Sequence, residues 1–149
     1  MHYDTAPEIN SNEFEKDYKR CNLEIGDFLI VNTGATIGKS AIARDKRTTR
    51  TLLQKSVALL KVKKDCLNPI FFKYCYSINP QMYLVENGSA QPNLLLSRIN
   101  NTEIFVPDLS EQTQFAAFVE EVEQNKTTIK QSLEWLNTLK AKLMQDYFG

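Results

Sequence analysis

Five apolar residues stand at steps of seven in the last third of this chain: Phe115, Val122, Ile129, Leu136 and Leu143. Val119, Leu133 and Tyr147 follow three of them by four positions, and Phe118 and Leu139 follow two of them by three. No Gly or Pro falls between Pro107 and Gly149. Such spacing predicts one continuous helix with an apolar edge. Asp108-Leu109-Ser110-Glu111 has capping-box spacing at its start, with Ser110 as the alternative cap. Over residues 111–147 the rod would be roughly 55 Å long at ~1.5 Å per residue. A domain of this size cannot cover a rod that long with its own core, so the stripe calls for another helix. The rest of the chain offers no long helical partner, which predicts antiparallel or parallel pairing with another polypeptide. Asn125, Lys126 and Ser132 interrupt the seam, and breaks of this kind weaken a zipper while fixing its register. The alternative is a long helix folded back over its own domain.

The remainder fits one domain, or one domain plus an appendage, in a chain of 149 residues. With 42% hydrophobic and 24% charged residues the chain is globular in composition and not disordered. No apolar run approaches the ~18 residues of a membrane helix. Met1-His2-Tyr3-Asp4 has neither the basic start nor the apolar stretch of a secretion signal. Cys21, Cys66 and Cys75 are an odd, widely spaced set that fits reduced thiols and a cytoplasmic location better than a disulfide framework.

Net charge is zero, but it is unevenly distributed. Residues 39–64 hold Lys39, Arg44, Lys46, Arg47, Arg50, Lys55, Lys61, Lys63 and Lys64 against Asp45 alone, and the flanking stretches are acidic. A local excess of this kind is a candidate polyanion footprint; its plain alternative is a solvated β-hairpin.

Secondary structure reads as α+β. A short helix is expected over residues 11–20 with Ser11 as cap, and a turn at Gly26-Asp27. The apolar run Phe28-Leu29-Ile30-Val31 reads as a buried strand, followed by a Gly-containing loop over 33–40. Ala41-Ile42-Ala43 restarts an extended segment, residues 48–51 read as a loop, and residues 57–62 as the next strand. Asn68-Pro69 looks like a helix cap and first helical position, and Asn79-Pro80 repeats the signal. Asn87-Gly88-Ser89 would end that second helix, and Ile104-Phe105-Val106 reads as a short strand stopped by Pro107.

Motifs with chemistry are few. Gly34-Ala35-Thr36-Ile37-Gly38-Lys39-Ser40 looks at first like a phosphate loop, but only three residues separate its glycines where four are needed, and strand rather than helix follows. A hairpin turn is the better reading, with Lys39, Ser40 and the loop amides still available to a DNA phosphate. Asn68-Pro69-Ile70-Phe71 is one letter from the Asn-Pro-Pro-aromatic motif of amino-methyltransferases; Ile70 breaks it. His2 is the sole histidine and lies at the terminus, the cysteines have no zinc-site spacing, and Glu120, Glu121 and Glu123 read as a solvated helix face. Nothing calls for a cofactor, metal or catalytic residue. The loop 87–93 carries Gln91 and Asn93, whose amides suit adenine edges, although turn residues alone would also account for it.

Three stretches, in order, resemble the specificity (S) subunit of type I restriction-modification systems. They are Gly26-Asp27-Phe28-Leu29-Ile30-Val31 running into Thr33-Gly34-Ala35-Thr36-Ile37-Gly38-Lys39; Gly88-Ser89-Ala90-Gln91 with Asn93-Leu94; and Ile104-Phe105-Val106-Pro107 with Leu109-Ser110-Glu111-Gln112, followed by Leu133-Glu134, Leu136, Leu139-Lys140 and Tyr147-Phe148. The resemblance implies a target-recognition domain over residues 1–107, with a small twisted sheet and short helices, and a long coiled-coil-type helix over 108–149. It implies a non-catalytic protein that reads half of a split double-stranded DNA site, on which methyltransferase subunits and a restriction subunit assemble. By the same resemblance, one recognition domain and one helix are present where two of each are usual, and a first segment of roughly 40–50 residues is missing. A half-length protein of this kind is expected to form a homodimer, or to pair with another specificity half, through the helix.

Expected phosphate contacts are Lys39, Ser40, Arg44, Lys46, Arg47 and Arg50, with Arg47, Arg50, Gln91 and Asn93 facing bases. Phe115, Val122, Ile129, Leu133, Leu136 and Leu143 form the partner face of the helix. Two rival readings are an interaction module with no DNA role, and the recognition portion of a stand-alone DNA methyltransferase or bifunctional restriction enzyme.

Overall fold

The computed structural model describes residues 3–82 and 96–149 and is α+β. Helix α1 spans Ser11–Cys21. Its cap is Asn10 rather than the expected Ser11: Asn10 is extended and its side chain accepts from the Asn12 N–H at 3.0 Å. Asn and Ser cap equally well, so local sequence leaves the start ambiguous by one residue. Three strands follow, β1 (Phe28–Val31), β2 (Ser40–Ile42) and β3 (Val57–Leu60), in an antiparallel sheet of order β2-β1-β3. Phe28 pairs with Ile42 on one side and Leu60 on the other.

The continuous apolar run of β1 exists because both faces of the central strand are covered. Phe28 and Ile30 point into one cluster with Phe72, Tyr76, Met82 and Ile99, while Leu29 points to the other face, with Leu23 and Ala43. Helix α2 (Pro69–Ile78) supplies the first cluster. Asn68 caps it by accepting from the Ile70 and Phe71 N–H groups, and Pro69 takes the first helical position, as the sequence predicts. Phe72 and Tyr76, one turn apart, set their rings edge-on to Phe28 at 5.0 and 5.3 Å between centroids.

The expected second helix begins as a 3-10 turn, Pro80–Met82, and the rest of its expected span, to the 87–89 turn, lies outside the described residues. Another 3-10 turn, Lys46–Arg50, occupies what reads in sequence as a loop. A short helix α3 spans Leu96–Asn101. Ile104-Phe105-Val106 is not a strand. Ile104 packs on the core as an isolated side chain and Phe105 is 83% exposed. A strand needs a neighbour to complete its ladder, and the apolar letters alone do not supply one.

The last element, α4, is one unbroken helix over Leu109–Phe148. The Asp108 carbonyl accepts from the Gln112 N–H at 3.1 Å, which puts Ser110 inside the helix and not at its cap. The chain divides into two compact units, residues 1–112 and 113–149. From Glu120 to Gly149 every residue is exposed.

Candidate nucleic-acid interface

The basic stretch runs through the sheet from one end to the other, so residues close in sequence are dealt to opposite ends. At the Val31 end lie the 32–39 loop and Lys55: the Val31 N–H donates to the Lys39 carbonyl at 2.9 Å, and the Asn32 N–H to the Ser56 carbonyl at 2.8 Å. At the Phe28 end lie Arg44, Lys61, Lys63 and Lys64, since Phe28 pairs with Ile42 and Leu60. Lys46 and Arg50 project from the 3-10 turn between β2 and β3.

Three amides of the glycine loop are engaged within the loop and hairpin. The Ile37, Gly38 and Lys39 N–H groups donate to the Gly34, Val31 and Thr36 carbonyls. Gly38 needs its positive φ of 82° to close the hairpin, and its carbonyl accepts from the Tyr76 hydroxyl at 2.8 Å. Lys39 is exposed on this fixed loop; Ser40 is half-buried and pairs with Ile30 on the sheet.

Two of the cations at the other end are tied inward. Asp27 is buried and its carboxylate accepts from the Glu24 N–H at 2.7 Å, with the Lys61 ammonium at 2.8 Å. Burial lowers the affinity of Lys61 for its proton, but the hydrogen bond and charge of Asp27, aided by Glu24, outweigh it and hold the pKa above the ordinary lysine value. The Lys64 ammonium donates to the Ile25 carbonyl at 2.7 Å beside Gly26, whose φ of 93° makes the turn.

Arg47 is the most heavily engaged cation on the 3-10 turn. Asp45 caps that turn by accepting from the Arg47 N–H at 2.8 Å, and grips the same guanidinium from the side, Nε at 3.1 Å and Nη2 at 2.8 Å. These bonds, side chain first and backbone second, hold the Asp45 carboxyl down at about 2. Nη1 reaches Asp4 at 2.7 Å, and the guanidinium lies over the Tyr3 ring, 4.7 Å from its centroid. The Tyr3 hydroxyl shares a hydrogen bond at 3.1 Å with Thr48, which is fully buried. Nothing in the sequence signals this arrangement, which joins residues more than 40 positions apart. Lys39, Lys46, Arg50, Lys55 and Lys63 make no ion pair among the described residues, and Arg44 is exposed. Gln91 and Asn93 lie outside the described residues, as does the 87–89 turn.

The described residues contain no group of three His, Cys, Asp or Glu side chains able to hold a metal ion. Burial pushes the Cys75 thiol up, away from the reactive thiolate. No described helix is long and apolar enough to cross a membrane.

In the 113–149 unit the residues predicted for the partner face are exposed, while Val119 of the same stripe is buried. Phe115, Val122, Ile129, Leu133, Leu136 and Leu143 are 37–67% exposed. Trp135, Met144 and Phe148 are exposed as well, and the seven-residue spacing did not single them out. Sequence reasoning also missed Gln112, a fully buried amide at the root of α4, because a lone Gln in a helical stretch carries no signal of burial.

A family model described as the type I restriction modification DNA specificity domain matches residues 2–138. The match takes in the sheet, the basic stretch, the root of α4 and most of its open face. The chain therefore belongs to the family of type I restriction-modification DNA specificity domains, which makes it a DNA-recognition module.

Proposed function

We propose that residues 1–107 read one half of a split DNA target and that residues 108–149 pair with a second copy, forming the scaffold on which methyltransferase and restriction subunits assemble. The observation that carries this reading is the open apolar face of α4 from Glu120 onward, attached to a family-matched DNA module. Charge and symmetry support antiparallel pairing. The apolar positions are symmetric about Ile129, so a two-fold axis there sets Phe115 against Leu143 and Val122 against Leu136. It also sets residues 111–128, where Glu111, Glu120, Glu121 and Glu123 outnumber Lys126, opposite residues 130–147, where Lys130, Lys140 and Lys142 outnumber Glu134 and Asp146. Lys39, Arg44, Lys46 and Arg50 hold phosphates; Gln91 and Asn93 read bases.

Expression together with methyltransferase subunits of a type I restriction-modification system, followed by mapping of methylated bases, tests the reading. The expected product is a split motif whose halves are inverted copies of each other. Methylation of an undivided or asymmetric motif overturns the two-copy scaffold; absence of methylation overturns the recognition role.

A further inference from the structure

The contact between Arg47 and the segment that begins at Tyr3 has a feature that a purely structural clasp does not need. Asp45 already satisfies the side edge of Arg47 with two bonds, which fixes the plane of the guanidinium. The outward nitrogen, Nη1, is thereby presented to solvent, and the group that fills it is a carboxylate 88% exposed. An exposed ion pair of this kind is cheap to separate. A phosphodiester oxygen offers the same negative acceptor and brings with it the counterion release of DNA binding. Lys46 and Arg50 are exposed on the same 3-10 turn, so an anion taking the place of Asp4 meets further positive charge.

We propose that Tyr3 and Asp4 form a displaceable strap, in which Asp4 occupies on Arg47 the position of a DNA phosphate and must leave before the 3-10 turn can engage the backbone. Tyr3 gives the strap its address: its ring lies against the guanidinium and its hydroxyl bonds Thr48, so the carboxylate returns to the same nitrogen. The strap lowers affinity for any DNA that cannot displace it, which sharpens the difference between matched and random sequence. It rests on the DNA-binding reading above and adds to it a regulated phosphate position.

The experiment is equilibrium binding of the full chain to a short random-sequence duplex across a salt series. Four variants are compared with the wild type: Asp4→Asn, Arg47→Ala, the two combined, and Glu8→Gln as an exposed acid without an ion-pair partner among the described residues. Asp4→Asn is expected to tighten binding several-fold at low salt and to steepen the log affinity against log salt by about 0.9, the value of one added phosphate contact. The combined variant is expected to match Arg47→Ala. The strap is overturned if Asp4→Asn leaves the slope unchanged, if Glu8→Gln produces the same gain, or if the gain survives in the combined variant. Wild type and every variant failing to bind at any salt concentration removes the DNA-binding reading itself, and the strap with it.

Discussion

Gln112 and Asn68, 44 positions apart, are joined side chain to main chain: the Asn68 N–H donates to Gln112 Oε1 at 2.8 Å. Gln112 Nε2 completes the clasp by donating to the Cys66 carbonyl at 3.0 Å and the Pro107 carbonyl at 2.7 Å. The amide has spent its oxygen and both its hydrogens in a fully buried position. It fixes the first turn of α4 to the start of α2, where Asn68 is itself the cap. Gln112→Ala leaves the part-buried Asn68 N–H unpaired and is expected to cost about 1–3 kcal/mol in urea unfolding. Gln112→Glu is expected to cost more at neutral pH, because it turns a carboxylate oxygen toward two carbonyls. A shift under about 0.5 kcal/mol for either variant would show that solvent replaces the clasp.

Tyr76→Phe separates packing from hydrogen bonding. The ring contacts with Phe28 remain, and the bond to the Gly38 carbonyl is lost. The expected cost is about 1 kcal/mol, with faster hydrogen exchange at Gly38 and Lys39. Equal exchange in both proteins would mean that the loop is closed by its own backbone bonds alone.

The open face of α4 can be tested without touching the recognition fold. Ile129 and Leu136 are 67% and 52% exposed, so charges there do not disturb the core. Ile129→Asp combined with Leu136→Asp is expected to give a monomer in sedimentation with an unchanged sheet signal in circular dichroism. A wild type already monomeric at high concentration would refute pairing with a second copy.

Replacing Arg44, Lys46 and Arg47 together by Ala is expected to flatten the salt dependence of DNA binding by up to about one unit per lost phosphate contact. An unchanged slope in the triple variant would take the 3-10 turn out of the interface.

Lys61 gives the fold an alkaline limit. Its pKa is raised above the ordinary 10.5 by Asp27 and Glu24 against the opposing effect of burial. A raised folded value means stabilisation that is complete below 10.5 and lost as pH rises through the folded pKa. The melting temperature is therefore expected to fall above pH 10.5, and the gap between wild type and Lys61→Met to narrow there. A gap constant with pH would mean that Lys61 acts through its aliphatic stem and not its charge.

Features set by local spacing were legible in the sequence. The run from Phe28 to Val31, the Asn68-Pro69 helix start and the unbroken helix to Phe148 follow from side-chain period, cap chemistry and the absence of Gly and Pro. So did the basic stretch and, through ordered motifs, the family. Ile104-Phe105-Val106 failed as a strand because a ladder is a property of two segments, and its apolar letters serve one buried side chain equally well.

The sequence by itself determined that Phe28–Val31 is a buried strand and that the last helix runs unbroken with an apolar edge, because those depend on near neighbours along the chain. Only the tertiary structure decided which cations face outward. Lys61 is drawn onto a buried Asp27, and Arg47 onto Asp4 and Asp45. Charge counted along the chain is blind to that, because an ion pair needs two groups within a few ångströms in space and places no limit on their separation in sequence.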